Sequence, residues 1–260
     1  MVSWDQTTGT RSFRLLDRAL AEGFVIAILV IWTLTALKLP SFIVPTPWDV
    51  AKAIGQLFTK PDFAIHVLAS TLRVMCSVLI SMVLGLSLAL LARNVSALEW
   101  IVTRRLRPFL NSFPSMGWAL LAAIWFDFGN ASVIFVQVLI LLPFSTGIFL
   151  AGLQEIDAEM LEMGRSFTRR SVRVFIKLTL PMLMPYIIAV LRVTYGIGWK
   201  IALVSELTGV ETGLGYLMLT AQSASNVAMV LATCFVIVAA FICGERLLIN
   251  PLARRWRTAQ

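Results

Sequence analysis

The chain has 260 residues, of which 58% are hydrophobic, and its mean hydropathy is +0.85. Soluble domains are closer to half apolar, so this composition excludes an ordinary soluble protein. The formal net charge is +8, but the Lys and Arg residues cluster between apolar runs, as is typical of charges that orient a membrane protein. We therefore expect membrane lipid, and no nucleic acid, among the partners of this chain.

Six apolar runs predict six transmembrane helices, because about 20 apolar residues cross a bilayer and several runs approach or exceed that length. The second and fifth runs are long enough to tilt or to project past the bilayer. The predicted spans are Phe24–Leu37, Ile65–Ala92, Phe109–Phe126, Ser132–Ala151, Val174–Val204 and Val227–Leu248. We expect an all-α polytopic membrane protein with one domain over residues 1–260.

Positive charge between the runs predicts the orientation of the chain. The amino-terminal segment and residues 93–107, 165–177 and 246–257 together hold 16 of the 22 Lys and Arg residues. Because cytoplasmic loops carry an excess of Lys and Arg, both termini are predicted to be cytoplasmic, including a segment over residues 1–20. This segment lacks the apolar core and cleavage site of a signal peptide, so the first span should remain as an anchor.

A short helix is predicted on the outer side, between the first two spans. Thr46 can cap its first turn, and Pro47 suits its first position. Apolar residues on one face predict that this helix rests at the membrane interface or against the spans. They are Val50, Ile54, Leu57 and Phe58.

Residues for catalysis or nucleotide binding do not form a recognisable pattern. The chain has no G-x-x-x-x-G-K-[ST] loop to hold nucleotide phosphates. His66 is the one histidine, and all three cysteines lie in apolar runs, so a metal site and a disulfide framework are not expected. We expect no catalysis and no cofactor in this chain, which disfavours a membrane-embedded enzyme.

The polar segment Glu162–Pro181, with the sequence EMGRSFTRRSVRVFIKLTLP, lies between two long apolar runs. Its composition has two interpretations: an ordinary positive cytoplasmic loop, or a helical hairpin that binds a partner. Acidic residues precede arginines along the predicted helix, which suits its dipole. These residues are Glu155, Asp157, Glu159 and Glu162, followed by Arg165, Arg169, Arg170 and Arg173.

This segment and several others resemble the membrane-spanning permease subunit of bacterial ABC importers of the nitrate/sulfonate/taurine type. The resemblance runs from about Phe42 to Trp256. It includes IVPTPWDV, STLRV, FPSMGWALLAAIWFDFG, the cytoplasmic hairpin and WKIALVSELTGVETGLGYL.

The signature of these permeases is a cytoplasmic E-A-A-x3-G-x9-I-x-L-P loop. Glu162 stands for its Glu, and Leu178, Leu180 and Pro181 fall at the offsets of the closing I-x-L-P. The departures are Met163 and Gly164 for the two alanines and Thr168 for the glycine. That glycine permits a turn with positive φ, which a β-branched residue resists, so either the turn is rebuilt here or docking differs.

The resemblance implies a type I importer fold and a coupling helix within residues 155–178 that binds a cleft of an ATP-binding subunit. It assigns the contact to Glu159, Glu162, Met163, Gly164, Arg165, Ser166, Phe167 and Thr168. ATP and Mg would be bound by this partner, which is dimeric. Further implied partners are a second copy of the chain and a periplasmic or lipid-anchored substrate-binding protein at the bacterial inner membrane.

Charged and irregular positions in the spans are candidates for the translocation pathway, because intramembrane ionisable groups usually face a pathway or a partner. Arg192 and Lys200 share one helix face and could attract an anion. Structural roles remain open: Arg73 and Lys200 could extend to the membrane surface, and Arg192 could pair with another helix. The candidates are Arg73, Pro114, Ser115, Met116, Arg192, Trp199, Lys200 and Glu206.

The expected substrate is a small anion such as a sulfonate, taurine, nitrate or an aromatic carboxylate. A neutral pyrimidine-like compound is an alternative, because related importers carry such compounds. An ion-coupled secondary transporter is a further alternative, although such chains are usually longer or visibly repeated. The outer segment TGVETGLGYL, with Gly209, Gly213 and Gly215, could form a re-entrant turn or short helix of an outer gate.

Overall fold

The computed structural model describes residues 9–168 and 170–257, and every regular element in these ranges is a helix. Three short π-helical turns interrupt the α-helices: Val102–Leu106, Phe175–Thr179 and Glu245–Ile249. The helices, with the first two π-turns included in α4 and α8, are α1 (Gly9–Lys38), α2 (Pro47–Thr59), α3 (Phe63–Asn94), α4 (Ser96–Ser112), α5 (Ser115–Phe126), α6 (Asn130–Gln154), α7 (Ala158–Phe167), α8 (Ser171–Gly209), α9 (Leu214–Ser223), α10 (Val227–Gly244) and α11 (Asn250–Arg257).

Four helical stretches in the described residues are long and apolar enough to cross a membrane. They are α3, α6, α8 and α10 with its continuation to Ala253, and α4 with α5 gives a fifth if the bent pair is one span. The prediction of six spans with both termini in the cytoplasm therefore remains a prediction. The protein is all-helical, as expected.

The predicted span Phe109–Phe126 is not one continuous helix, because it is interrupted at Pro114, one of the irregular positions noted in the sequence. The helix is interrupted between α4 and α5, and the axes of the two helices differ in direction by 86°. Phe113 has φ −76° and ψ 129°, and Pro114 has φ −60° and ψ 132°, so both are extended. Proline disfavours helical backbone at the residue before it, which accounts for the break.

The centre of the protein is built by α3, α6 and α8, which pack along one another. Small residues allow α3 and α6 to approach closely: a Cβ added to Gly85 would lie 2.5 Å from the Cβ of Ser145. Val74, Leu141 and Trp199 are buried in the resulting core. This packing holds α3, α6 and α8 together around one core.

The helix α1 carries the first predicted span and lies largely apart from this centre. Its side chains Phe24 and Leu37 are 68% and 73% exposed. Trp32 ties it to the outer segment, because the indole N–H donates to the Pro45 carbonyl oxygen at 3.0 Å. Lipid or another protein surface is needed to cover so much apolar side chain.

The predicted short outer helix is confirmed as α2. The Asp49 N–H donates to the Thr46 hydroxyl oxygen at 3.2 Å, and that hydroxyl donates to the Asp49 carboxylate at 2.7 Å. This hydrogen bond is the largest cause of a lowered pKa for the Asp49 carboxyl. Val50 and Leu57 are buried, and the helix packs against α10. Phe58 is 65% exposed, so the predicted apolar face is only partly buried.

Candidate functional sites

The helix α7 occupies the middle of the predicted coupling segment. Asp157 precedes it, Glu159 lies in its first turn and Arg165 in its last turn, an order of charge that stabilises the helix dipole. Six of the eight predicted contact residues have exposed side chains: Glu159, Glu162, Met163, Arg165, Ser166 and Phe167. Phe167 is 83% exposed, which is unusual for an aromatic side chain on a polar helix.

The opposite side of α7 rests on the first turns of α8. A Cβ added to Gly164 would lie 2.9 Å from Cδ2 of Leu178 and 3.4 Å from Cγ1 of Val174. A cavity of about 270 Å³ remains beside this contact, between α7, α8 and the end of α3. Displacement of α7 would therefore act directly on α8, with free volume next to the contact.

Thr168 ends α7 with φ −156° and ψ 131°, an extended conformation that any residue adopts. The turn is therefore rebuilt without the positive φ that the signature glycine permits. The Arg170 N–H donates to the Thr168 hydroxyl oxygen at 3.4 Å and supports the new turn. Arg169, predicted to lie in the basic part of this segment, falls outside the described residues.

A second site lies in the opposite half of the protein, where α3 meets α8. Arg73 and Glu206 form an ion pair with 2.8 Å between Nη1 and Oε1. Arg73 is 4% exposed and Glu206 is 1% exposed. A buried charge is very costly unless it is paired and hydrogen-bonded, so the surroundings of this pair decide whether it is stable.

The Arg73 guanidinium is held by two elements besides α8, which carries Glu206. Its Nε donates to Oδ1 of Asn130, at the start of α6, at 2.8 Å. Its two terminal nitrogens donate to the carbonyl and the hydroxyl oxygen of Thr212, each at 2.7 Å. The guanidinium therefore connects α3, α6, α8 and the loop before α9.

The Glu206 carboxylate connects the same loop from the other side. It accepts hydrogen bonds from the Ser70 hydroxyl at 2.8 Å and from the Gly215 N–H at 3.0 Å. The Leu214 N–H donates to the Ser70 hydroxyl oxygen at 2.8 Å. The carboxylate thus satisfies the free N–H groups of the first turn of α9, directly and through Ser70.

Gly213 closes this network with a backbone conformation that favours glycine. Its φ is +121°, and an added Cβ would lie 2.5 Å from a Glu206 carboxylate oxygen. Its N–H donates to Nδ1 of His66 at 3.0 Å, and the His66 ring stacks on Tyr216 with 6.0 Å between ring centroids. The short helix α9 is therefore fixed to α3 along its first turn.

Two predicted pathway residues, Arg73 and Glu206, are thus each other's partners. Arg73 does not extend to the membrane surface, and its charge is neutralised by a carboxylate in contact. The network leaves no open face of either group toward a solute. The geometry favours fixing α9 over binding an anion, and the assignment of these two residues to the pathway remains a prediction.

The other predicted pathway residues lie in two separate places. Arg192 and Lys200 have exposed side chains on α8, and Arg192 donates to Oδ1 of Asn250 at 3.3 Å. Trp199 is 3% exposed, in the core. At the break between α4 and α5, Pro114 and Met116 are exposed and Ser115 begins α5.

Several residues of these sites were not found by the sequence analysis. Ser70, Asn130 and Thr212 are common polar residues whose partners lie on other elements, so no local pattern indicates them. Gln137 is fully buried in α6, and its amide has no hydrogen-bond partner within the described residues. A polar residue in the apolar run Ser132–Ala151 is the signal that could have identified it.

Comparison with known proteins relates most of the chain to one family. The family model described as binding-protein-dependent transport system inner membrane component matches residues 81–248. This range extends from the middle of α3 to the π-turn after α10, so it contains α7 and Glu206 but not Arg73.

Three similar proteins illustrate the range of relatives. A probable ABC transporter permease protein of Haemophilus influenzae is 30% identical over 239 residues, which cover 88% of this chain and 92% of that protein. A putative aliphatic sulfonates transport permease protein of Bacillus subtilis is 27% identical over 191 residues, 73% of this chain and 68% of that protein. The taurine transport system permease protein of Escherichia coli is 25% identical over 200 residues, 73% and 71% of the respective chains.

Proposed function

Because this chain belongs to the family of binding-protein-dependent transport system inner membrane components, we propose that it forms the membrane pathway of an ATP-driven importer. It is a multi-pass ABC transporter permease of the bacterial inner membrane. The finer proposal is a type I arrangement with six spans and both termini in the cytoplasm. Two copies of the single domain, residues 1–260, form the pathway.

The observation that carries the proposal is the position of α7. Its charged and apolar side chains are exposed on one side, and Gly164 contacts Leu178 of α8 on the other. A helix so placed can bind a groove of a partner and transmit displacement to a long span. We assign the partner contact to Glu159, Glu162, Met163, Gly164, Arg165, Ser166, Phe167 and Thr168.

The partner at α7 is a dimeric ATP-binding subunit that supplies the ATP and Mg sites. Membership of the family supports this partner, and the sequence of the chain has no G-x-x-x-x-G-K-[ST] loop of its own. ATP binding would shift the balance between inward-open and outward-open states through different contacts at α7. A periplasmic or lipid-anchored binding protein delivers the substrate.

The proposed substrate is a small sulfonate, with taurine as one member of the class. Two relatives are named for aliphatic sulfonate and taurine transport, at 27% and 25% identity. The exposed cations Arg192 and Lys200 on α8 are compatible with an anion. They complete the proposed pathway with Pro114, Ser115, Met116 and Trp199, whereas Arg73 and Glu206 are more directly explained by their mutual contact.

A charge reversal tests the docking assignment. The tagged chain is co-expressed with the ATP-binding and substrate-binding proteins encoded beside it, purified, and reconstituted in vesicles with labelled taurine or ethanesulfonate. We expect Glu162→Arg to lower substrate-stimulated ATP hydrolysis at least about fivefold without preventing membrane insertion. The matched control is Glu22→Arg, because Glu22 is exposed on α1, outside the proposed docking and gate segments.

Two results would contradict the proposal. Unchanged coupling in Glu162→Arg vesicles would remove α7 from the docking site. Uptake by the isolated chain under an ion gradient, without co-purification of an ATPase, would instead indicate an ion-coupled secondary transporter. Labelled uracil in the same vesicles separates the neutral pyrimidine-like substrate from the anion.

A further inference from the structure

The three π-helical turns share one sequence feature: a proline follows each of them after a single intervening residue. In each case the intervening residue donates its N–H to the carbonyl five positions earlier, which makes the turn wide. The three donor–acceptor pairs are Arg107 to Val102, Leu180 to Phe175 and Asn250 to Glu245. The prolines that follow are Pro108, Pro181 and Pro251.

Proline explains why the backbone widens at these points. It has no N–H to donate, and its ring collides with the carbonyl four residues earlier, which a wide turn can relieve. Each segment therefore combines a π-turn with a missing hydrogen bond, and bending a helix there costs less than elsewhere. Pro143 and Pro185 lie inside α6 and α8 without a π-turn, so proline alone does not impose one.

All three segments lie toward the basic ends of their helices, which the charge distribution assigns to the cytoplasm. The one in α8 is also in contact with α7, because Gly164 faces Leu178, a member of the π-turn. Phe175 and Thr179 of the same π-turn line the cavity of about 270 Å³. The turn thus lies where α7 can push it and has free volume beside it.

The outer end of α8 is held much more firmly. Glu206 fixes the outer end of α8 to α3 and to the first turn of α9. Its partner Arg73 adds the start of α6 through Asn130. One end of α8 is therefore held by a buried ionic network, and the other contains a wide turn followed by a missing hydrogen bond.

We infer that the three π-turn–proline segments are hinges at which the cytoplasmic ends of α4, α8 and α10 bend when α7 is displaced. The inference rests on the proposed function, because the displacement is supplied by the ATP-binding subunit. It adds that the inner side of the pathway opens by local bending of these helices, while the outer half of α8 stays fixed to α3 and α9.

A variant of α8 without its hinge provides the test. Pro181→Ala restores the N–H, and deletion of Ile176 removes the extra residue of the π-turn, so that a continuous α-helix keeps both flanking segments facing their present neighbours. Ile176 is 55% exposed, so its deletion removes little packing. Pro185→Ala, in the same helix without a π-turn, is the matched control.

The first measurement uses the isolated chain in lipid nanodiscs and follows amide hydrogen exchange by mass spectrometry. We expect residues 176–182 of the wild type and of Pro185→Ala to exchange at least about tenfold faster than residues 186–190, because bending opens the local hydrogen bonds. In the hinge-less variant this difference should disappear. Equal exchange of both stretches in the wild type would overturn the inference, whatever the partner of the chain.

The second measurement uses the assembled complex with and without a non-hydrolysable ATP analogue. In the wild type and Pro185→Ala, the analogue should change exchange over residues 171–182, and the hinge-less variant should lose this response. A full response and normal substrate-stimulated ATP hydrolysis in the hinge-less variant would overturn the inference. Failure of the wild type to bind any ATPase would instead overturn the proposed function. The first measurement, on the isolated chain, would still show whether the π-turn of α8 opens more readily than the helix beyond it.

Discussion

Arg73 and Glu206 are 133 residues apart in the chain, and their pairing determines how each position tolerates substitution. The pair is hydrogen-bonded to further groups on α3, α6, α9 and the loop before α9, namely Ser70, Asn130, Gly215 and Thr212. A satisfied buried pair of this kind contributes little net stability compared with apolar residues of similar size. Loss of one member alone is costly, because the remaining charge stays buried without compensation.

We therefore expect Arg73→Met and Glu206→Leu each to destabilise the protein by about 3–5 kcal/mol, and the double variant to be closer to the wild type than either. The double variant removes both charges and leaves no uncompensated ion. Thermal unfolding of the purified chain in detergent, followed by tryptophan fluorescence, measures the three Tm values. Lys200→Met, at an exposed position of α8, is the control for loss of a charge. Additive losses in the double variant would contradict the pairing.

Gly213 gives a second prediction at this scale. Its positive φ costs an alanine about 1–3 kcal/mol, and the new Cβ would also meet the Glu206 carboxylate at 2.5 Å. We expect Gly213→Ala to lower the Tm and to increase proteolytic cleavage of the loop before α9.

Gly55→Ala is the matched control for Gly213→Ala, because nothing lies within 4 Å of an added Cβ in α2. We expect Gly55→Ala to raise the free energy of unfolding by about 0.5–1 kcal/mol, since alanine is the better helix former. Equal effects of the two substitutions on Tm would show that neither the conformation nor the contact at Gly213 matters.

The sequence analysis identified Arg73 and Glu206 as unusual but could not pair them. A charge in an apolar run indicates that a partner exists, whereas the identity of that partner depends on how α3 and α8 are aligned. The hydrogen bonds of Ser70 and Thr212 depend on the same alignment. The cap of α2 was predicted at Thr46 without its partner Asp49, and both could be read locally because they are three residues apart and need no tertiary contact.

At the scale of the element, α7 depends on how closely it approaches α8. The atom nearest an added Cβ at Gly164 is Cδ2 of Leu178, the end of a flexible side chain that can turn away. We expect Gly164→Ala to keep substrate-stimulated ATP hydrolysis near the wild-type rate. Gly164→Trp should lower it at least about fivefold, because the larger side chain separates α7 from α8.

Both Gly164 variants are measured in the same vesicles, after size-exclusion chromatography has shown equal assembly with the ATP-binding subunit. Full stimulation in the Gly164→Trp complex would show that the contact between α7 and α8 does not transmit displacement. Loss of stimulation in Gly164→Ala would show that the contact is less tolerant than the position of Leu178 indicates.

Helix boundaries were predicted best where a local signal exists. Pro114 indicated an irregular stretch within an apolar run, and the backbone preference before proline explains the break, but the bend of 86° could not be predicted from the sequence. Thr168 was expected to conflict with a turn of positive φ, but the extended conformation removes the conflict. The π-turns could not be predicted, because Pro143 and Pro185 show that an internal proline does not always produce one.

For the whole molecule, these features divide the helices α3, α6 and α8 into two regions with different mechanical properties. The outer region is joined by the ion pair, by Asn130 and by the first turn of α9, so its parts should move together. The inner region, named after the proposed orientation, contains the π-turn of α8 and its contact with α7, next to a cavity. An alternating-access cycle built on this division keeps α9 fixed to α3 throughout.

A cross-link between α3 and α9 tests this division. His66 and Tyr216 stack with 6.0 Å between ring centroids, so cysteines at both positions lie within reach of a short bifunctional thiosulfonate. The background replaces Cys76, Cys234 and Cys243 by serine, because these are free cysteines. We expect the cross-linked complex to hydrolyse ATP and take up substrate at the rate of the same variant before cross-linking. The control joins Leu90→Cys of α3 to Leu161→Cys of α7, which both line the cavity beside the α8 hinge, and should slow both activities. If the His66–Tyr216 cross-link stopped uptake while the ATP-binding subunit stayed bound, α9 would have to separate from α3 during the cycle, and the outer region could not move as one body.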